Sequence, residues 1–235
     1  MGSNEHISKQ FDVELEAVRS LVLKMGGLVE EQIKKAIECL ITCDLEAIDE
    51  TIANDHRVNA LEVEIDELCA QIIARRQPAA GDLRLIMTVV KTITDLERIG
   101  DEAEKIARMA KLICASERIS HPRFSEIHHV ATIAHEMLHN ALDSFARLDA
   151  AAAAMIVRKD QIVDEQFQNI LRQLITFMME DPRTISTSLE ILFVAKAIER
   201  IGDHSKNMSE YVVYLVKGKD VRHVTVEEIE RESQG

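Results

Sequence analysis

The chain has 235 residues and a formal net charge of −13, with 46% apolar residues, 3% aromatic residues, no Trp, 3 Pro and 8 Gly. That length allows one large domain or two small ones around a sizeable core, and the scarcity of breakers and aromatics points to an all-helical protein. Strong acidity without a sustained basic block excludes a nucleic-acid footprint and favours cations or basic partner surfaces.

The polar start carries no signal peptide, and His6 stands where a myristoylation signal needs Ser or Thr. Apolar runs fall far short of the ~20 residues that span a bilayer, so the expectation is a cytoplasmic protein without membrane insertion. Cys39, Cys43, Cys69 and Cys114 form no CxxC pair and sit in helical patterns. They read as small buried hydrophobes in a reducing compartment.

In the first helix Phe11, Leu15, Val18, Val22, Met25, Val29, Ile33, Ala36 and Leu40 recur at three- and four-residue steps, one buried stripe of a bundle. Gly26-Gly27 interrupts it and predicts a kink or a close helix contact. Thr42-Cys43-Asp44 is a break, with Asp44 as N-cap of a second helix running to about Arg76. Gln77 to Asp82, with Pro78 and Gly81, is a turn; Asp82 caps a third helix that runs to about Ala115.

Ser116 to Arg123, with Pro122, reads as a linker. The fourth helix runs from about Phe124 to Leu148. Asp149 caps a fifth that ends near Glu180, where Asp181-Pro182 breaks the chain. The sixth runs from about Thr184 to Val216 and stops at Lys217-Gly218-Lys219, before a charged, frayed tail.

The halves repeat. Ala36 to Asp44 aligns with Ala141 to Asp149 at an offset of 105, as do Asp55 with Asp160 and Val58 with Val163; Glu97 aligns with Glu199 at 102. The predicted fold is all-α: two tandem pseudo-symmetric three-helix bundles made of six long antiparallel helices. The units are 1–116, a linker 117–123, 124–217 and the tail 218–235.

Each unit carries Glu-Arg-Ile-Gly-Asp on its third helix, at 97–101 and 199–203. Glu97 with Asp101, and Glu199 with Asp203, lie one turn apart on one helix face. On the second helix an apolar stripe turns acidic through Asp55, Asn59, Glu62 and Asp66, so antiparallel packing would set these opposite Glu97 and Asp101. Carboxylates at such a seam repel unless a divalent or trivalent cation, or an arginine such as Arg98 or Arg200, neutralises them. The second unit is poorer in acids, since Glu62 and Asp66 align with Phe167 and Leu171; its acids are Asp160, Asp164, Glu199 and Asp203. The alternative is an acidic surface latticed by arginine, without metal.

His135-Glu136-Met137-Leu138-His139 matches the zinc-hydrolase signature H-E-x-x-H, which needs a third ligand. No Gly-and-His continuation follows, and an all-helical bundle offers no strand to hold a peptide. No phosphate loop or nucleophile elbow is present, so the chain is read as non-enzymatic. A metal-dependent hydrolase at His135 and His139, and a metal-storage protein, are the alternatives.

The duplicated Glu-Arg-Ile-Gly-Asp units, Met25-Gly26-Gly27, Ile73 to Pro78, Asp82 to Leu85, Met178 to Asp181 and Lys217 to Val224 together resemble the PhoU family. The resemblance covers nearly the whole chain. It implies a cytoplasmic, dimeric regulator of phosphate uptake without catalytic activity. Such a protein links the ATPase subunit of the phosphate ABC transporter to the sensor histidine kinase and represses the regulon when phosphate is plentiful. It also implies iron or another divalent or trivalent metal at Glu97, Asp101, Glu199 and Asp203, with Asp55, Glu62, Asp66, Asp160 and Asp164 as supporting acids. Arg98 and Arg200 are the docking groups expected beside them.

Overall fold

The computed structural model describes residues 9–115, 125–222 and 224–234. The apolar stripe of the first helix is buried along α1 (Lys9–Thr42), from Phe11 to Leu40. Gly26-Gly27 does not break it. Gly26 is buried where α1 meets α5 (Ser125–Arg147): a Cβ there would lie 2.5 Å from Leu142 Cδ2, whereas one at Gly27 would meet nothing within 4 Å. Of the two expectations for this pair, the close helix contact is the one realised.

The same corner closes the first helix of each unit. Cys43 (φ 53°) and Leu148 (φ 55°) adopt left-handed backbone, and the following Asp caps the next helix. Asp44 accepts from the N–H groups of Glu46 and Ala47 to start α2 (Leu45–Ala53), and Asp149 accepts from Ala152 N–H to start α6 (Ala150–Glu180). Each cap contributes about 1 kcal/mol.

The single second helix expected from Asp44 to Arg76 is in fact two, α2 and α3 (His56–Arg76). His56 Nδ1 contacts the Ala53 carbonyl, and Arg57 N–H turns to the Asn54 carbonyl at 3.1 Å. Local side-chain bonding at Asn54-Asp55-His56 thus competes with the helix ladder. After Gln77 (φ 50°), α4 (Ala80–Ala115) begins before Asp82 rather than after it. Asp82 therefore lies in its first turn, where its charge favours the helix dipole, rather than at the cap.

In the second unit α6 stops at Asp181, a 3₁₀ turn spans Pro182–Thr184, and α7 (Ile185–Lys217) ends on Gly218 at φ 73°. The tail expected to fray forms α8 (Val226–Gln234) instead, packed on α6 with Ile229 buried. A reciprocal capping box starts it: Glu228 N–H donates to Thr225 Oγ1, and Thr225 N–H to Glu228 Oε2. Residues 116–124, which include the expected linker 117–123 and the start of its following helix at Phe124, lie outside the described residues.

α1, α2–α3 and α4 form one bundle, and α5, α6 and α7 the other. α4 lies against α7 and α1 against α5, so both share one continuous apolar core. Ile93, Leu96, Ile99 and Ile106 of α4, and Val194, Ile198, Ile201 and Met208 of α7, are almost wholly buried. Each such side chain contributes roughly 1.5–3 kcal/mol. Polar ties cross the joint too: Asp95 meets His204 Nδ1 at 2.6 Å and accepts from Asn207 Nδ2 at 3.2 Å, and Arg200 pairs with Glu102 at 2.6 Å.

Cysteine usage departs from expectation. Cys39 and Cys69 are buried and free, but Cys43 and Cys114 form a disulfide with a Cα–Cα distance of 5.6 Å. Cys43 is not helical; it occupies the left-handed corner, half-buried, where the end of α4 comes beside it. Among the described residues, no helix is long and apolar enough to cross a membrane.

Candidate functional site

The glycine of each repeated segment sets the geometry. A Cβ at Gly100 would lie 3.4 Å from Asp55 Oδ1, and one at Gly202 would lie 3.5 Å from Asp160 Oδ1. The two aspartates that align in the repeat thus rest against the backbone of the helix bearing Glu-Arg-Ile-Gly-Asp, one in each unit.

In the first unit Asp55 and Glu62 stand near the Glu97–Asp101 pair as expected, while Asp66 is tied to the group through Glu62 on its own helix. Burial raises the pKa of Glu97, and the charges of Asp101, Glu62 and Asp55 push it up further while Arg98 opposes them. Asp101 is raised by burial and by Asp55, and Glu62 by burial, Asp66 and Asp101. Arg98 bridges Glu97 at 3.5 Å and Asp101 at 3.6 Å but is 54% exposed. Two of these carboxylates thus share one solvated arginine, and Asp55 Oδ2 accepts from Asn59 Nδ2 at 3.0 Å. Gln32, which the sequence reading missed, lies beneath them: its Nε2 donates to Asp55 Oδ1 at 3.1 Å and toward Gly100 O at 3.4 Å. Its buried Oε1 has no hydrogen-bond partner among the described residues.

The second unit also gathers its acids. Burial raises Asp164 and Asp203, and Asp160 and Glu199 push both further. Here, however, two lysines enter. Lys196 Nζ donates to both Glu199 oxygens at 2.5 and 2.6 Å, and Lys206 Nζ donates to Asp160 Oδ2 at 2.8 Å. Lys196 also stands over the Phe167 ring, 5.4 Å from its centroid. Neither lysine was among the expected site residues, although the alignment of the halves places both beside the acids.

Arg98 and Arg200 occupy the same position of identical segments but differ in surroundings. Arg98 stays with its own acids. Arg200 spans the joint to Glu102, whose carboxylate is buried and also meets Lys105 at 3.2 Å. A charge pair at the joint resists separation of the two bundles, so Arg200 is held inside the protein more than Arg98.

Carboxylates and an orphaned amide oxygen are the donors that hard cations prefer. Among the described residues, though, no three or more His, Cys, Asp or Glu side chains stand together as they would to hold a metal ion. The clusters are open carboxylate arrays. The donor chemistry of the first fits a cation, with Gln32 Oε1 as its unsatisfied acceptor; in the second, lysine ammonium groups already hold Glu199 and Asp160.

The histidines of the H-E-x-x-H segment lie elsewhere, on α5. His139 Nδ1 meets Glu30 at 2.8 Å, Glu136 meets Lys159 at 3.5 Å, and His135 lines a groove against Ile33, Ile37 and Ile41 of α1. None of these contacts supplies the third ligand and substrate cleft that a zinc hydrolase requires.

The PhoU domain family model matches residues 22–110 and 127–212, once per bundle. The phosphate-specific transport system accessory protein PhoU homolog of Pseudomonas aeruginosa is 47% identical over 228 residues, covering 97% of this chain and 93% of the relative. The phosphate-specific transport system accessory protein PhoU of Escherichia coli is 46% identical, covering 97% and 94%. The crystal structure of PhoU from Pseudomonas aeruginosa superposes with a TM-score of 0.86, covering 89% of this chain and 100% of that one. That of the phosphate transport system regulatory protein PhoU from Streptococcus pneumoniae gives 0.83 at 29% identity, covering 90% and 99%.

Proposed function

The chain belongs to the PhoU family, and from that premise we propose that it is a cytoplasmic adaptor of phosphate-regulon signalling. Its membership in a family of phosphate-transport accessory proteins makes it a non-catalytic regulator of phosphate transport. The finer reading is that it docks on the ATPase subunit of the phosphate ABC transporter and on the sensor histidine kinase, as a homodimer, and restrains uptake when phosphate is plentiful. The observation that carries it is full-length similarity to accessory proteins of that transport system. The acidic surface, net charge −13, suits basic faces on such partners. Affinity capture from phosphate-replete cells should recover the ATPase subunit and the kinase, and deletion of the gene should release phosphate control. Recovery of neither partner, with control intact after deletion, refutes the adaptor role.

A second reading concerns the first acidic cluster. Asp55, Glu62, Asp66, Glu97 and Asp101, with the orphaned Gln32 Oε1, would hold iron or another divalent or trivalent cation. A bound cation would supply the charge that Arg98 alone does not, and would fix α3 against α4 at the site. Replacement of Glu97 and Asp101 together by Ala should then lower the metal content of protein purified without chelator. Unchanged content would leave the cluster as a docking or structural surface.

A further inference from the structure

The repeat makes the two clusters a controlled comparison. Thr94 and Glu104 of α4 align with Lys196 and Lys206 of α7 at the offset that aligns Glu97 with Glu199. On the facing helix, Glu62 aligns with Phe167, and Asp66 with Leu171. The exchanges come as matched pairs in space. Where the first unit has an acid at Glu62 beside Thr94, the second has Phe167 with Lys196 over its ring at 5.4 Å. Where the first has Glu104 paired with Arg108, the second has Lys206 and Glu210, the same two positions with the charges reversed. This reversal turns an ammonium group inward, onto Asp160 at 2.8 Å.

We propose that Lys196 and Lys206 are the resident cations of the second cluster, supplying there the charge that a bound metal ion would supply in the first, so that the chain loads metal at one unit only. The inference rests on the cation reading of the first cluster. Both oxygens of Glu199 and one of Asp160 are engaged by ammonium groups, and an incoming ion would have to displace them. Asp160 is 3% exposed, and its Oδ1 has no hydrogen-bond partner among the described residues. That buried acceptor is aimed at the position beside Gly202, and it would anchor a divalent ion once the lysines were gone.

The test is Mn²⁺ binding by isothermal titration and by loss of the free-ion paramagnetic signal, on full-length protein stripped of metal. Wild type should show a single class of site that disappears in the Glu97→Ala/Asp101→Ala variant. Giving the second unit the residues of the first, Lys196→Thr with Lys206→Glu, should add a second class and about double the bound Mn²⁺. Lys196→Gln with Lys206→Gln removes both charges without adding an acid and should show the same gain if the first variant folds poorly. The reciprocal Thr94→Lys/Glu104→Lys variant should lose the wild-type site. Lysine variants that remain helical and bind no more Mn²⁺ than wild type overturn the proposal. Loss of Glu97 and Asp101 without effect on Mn²⁺ overturns the cation reading instead, and the lysine variants still decide the second cluster.

Discussion

Gly26 and Gly27 are adjacent in one helix, and the structure assigns them opposite consequences. Either glycine replaced by Ala gains the same helix propensity, about 1 kcal/mol. At Gly27 the new methyl enters open space, so Gly27→Ala should keep that gain. At Gly26 the methyl would sit 2.5 Å from Leu142 Cδ2 and 2.6 Å from Cδ1, and Leu142 is only 6% exposed. Overpacking of this kind costs roughly 1–3 kcal/mol. The difference between the two variants cancels propensity and reads the contact of α1 with α5 directly. Gly26→Ala should be less stable than Gly27→Ala by roughly 1–3 kcal/mol, with each kcal/mol lowering Tm by about 2–4 °C at this size. Urea unfolding followed by far-ultraviolet circular dichroism measures it. Leu142→Ala should cost stability in wild type but much less in the Gly26→Ala background, a coupling that a double-mutant cycle isolates. Equal stability of the two alanine variants, without coupling to Leu142, would refute this close packing of the first bundle on the second.

Glu210 is 7% exposed, and burial pushes its carboxyl up to about 7 despite Lys206 and Arg222 nearby. The native state then binds this proton more tightly than the unfolded chain does, so its contribution declines as pH rises from about 4.5 to about 7 and is flat above. Glu210→Gln should stabilise the protein by roughly 3 kcal/mol at pH ~8 and by almost nothing at pH ~4.5; a pH-independent effect contradicts this. Denatured, unreduced protein should titrate two free thiols, Cys39 and Cys69. Replacing both Cys43 and Cys114 by Ser should cost about 4 kcal/mol on loop-closure grounds, the bridge spanning 71 residues; four thiols without reductant would contradict the bridge. Arg200→Ala leaves the buried Glu102 carboxylate with Lys105 as its remaining ion pair and should cost roughly 1–3 kcal/mol, whereas Arg98→Ala should cost less than about 1. Equal losses would show that the joint does not depend on the pair.

Periodicity, caps and breakers were enough to place the helices because each depends on neighbours within a turn. Asp44, Asp149, Pro78 and Pro182 all mark the ends they were expected to mark. The Asn54–Asp55 interruption escaped because its cause is a side-chain bond that helix propensity does not weigh. The tail helix was legible in principle: Thr225 and Glu228 spell its capping box, but nine mostly charged residues have no stripe to suggest burial.

At the site, facing acids followed from the antiparallel turn at Pro78 and from the repeat. Gln32 did not, because a lone Gln on a buried stripe looks like a core position until its depth is known. The joint residues Asp95, His204 and Glu102 are long-range partners, and spacing within one helix carries no information about them. The disulfide was missed for the same reason: Cys43 and Cys114 meet only once α4 has folded back beside the corner.

The central claim is that two identical Glu-Arg-Ile-Gly-Asp segments serve differently, the first as an open cation cluster and the second as a lysine-neutralised one. Elemental analysis of protein purified without chelator tests it most directly, comparing wild type with Glu97→Ala/Asp101→Ala and Glu199→Ala/Asp203→Ala. Metal should fall with the first pair and persist with the second. Metal that persists without Glu97 and Asp101, or that depends on Glu199 and Asp203, would contradict it.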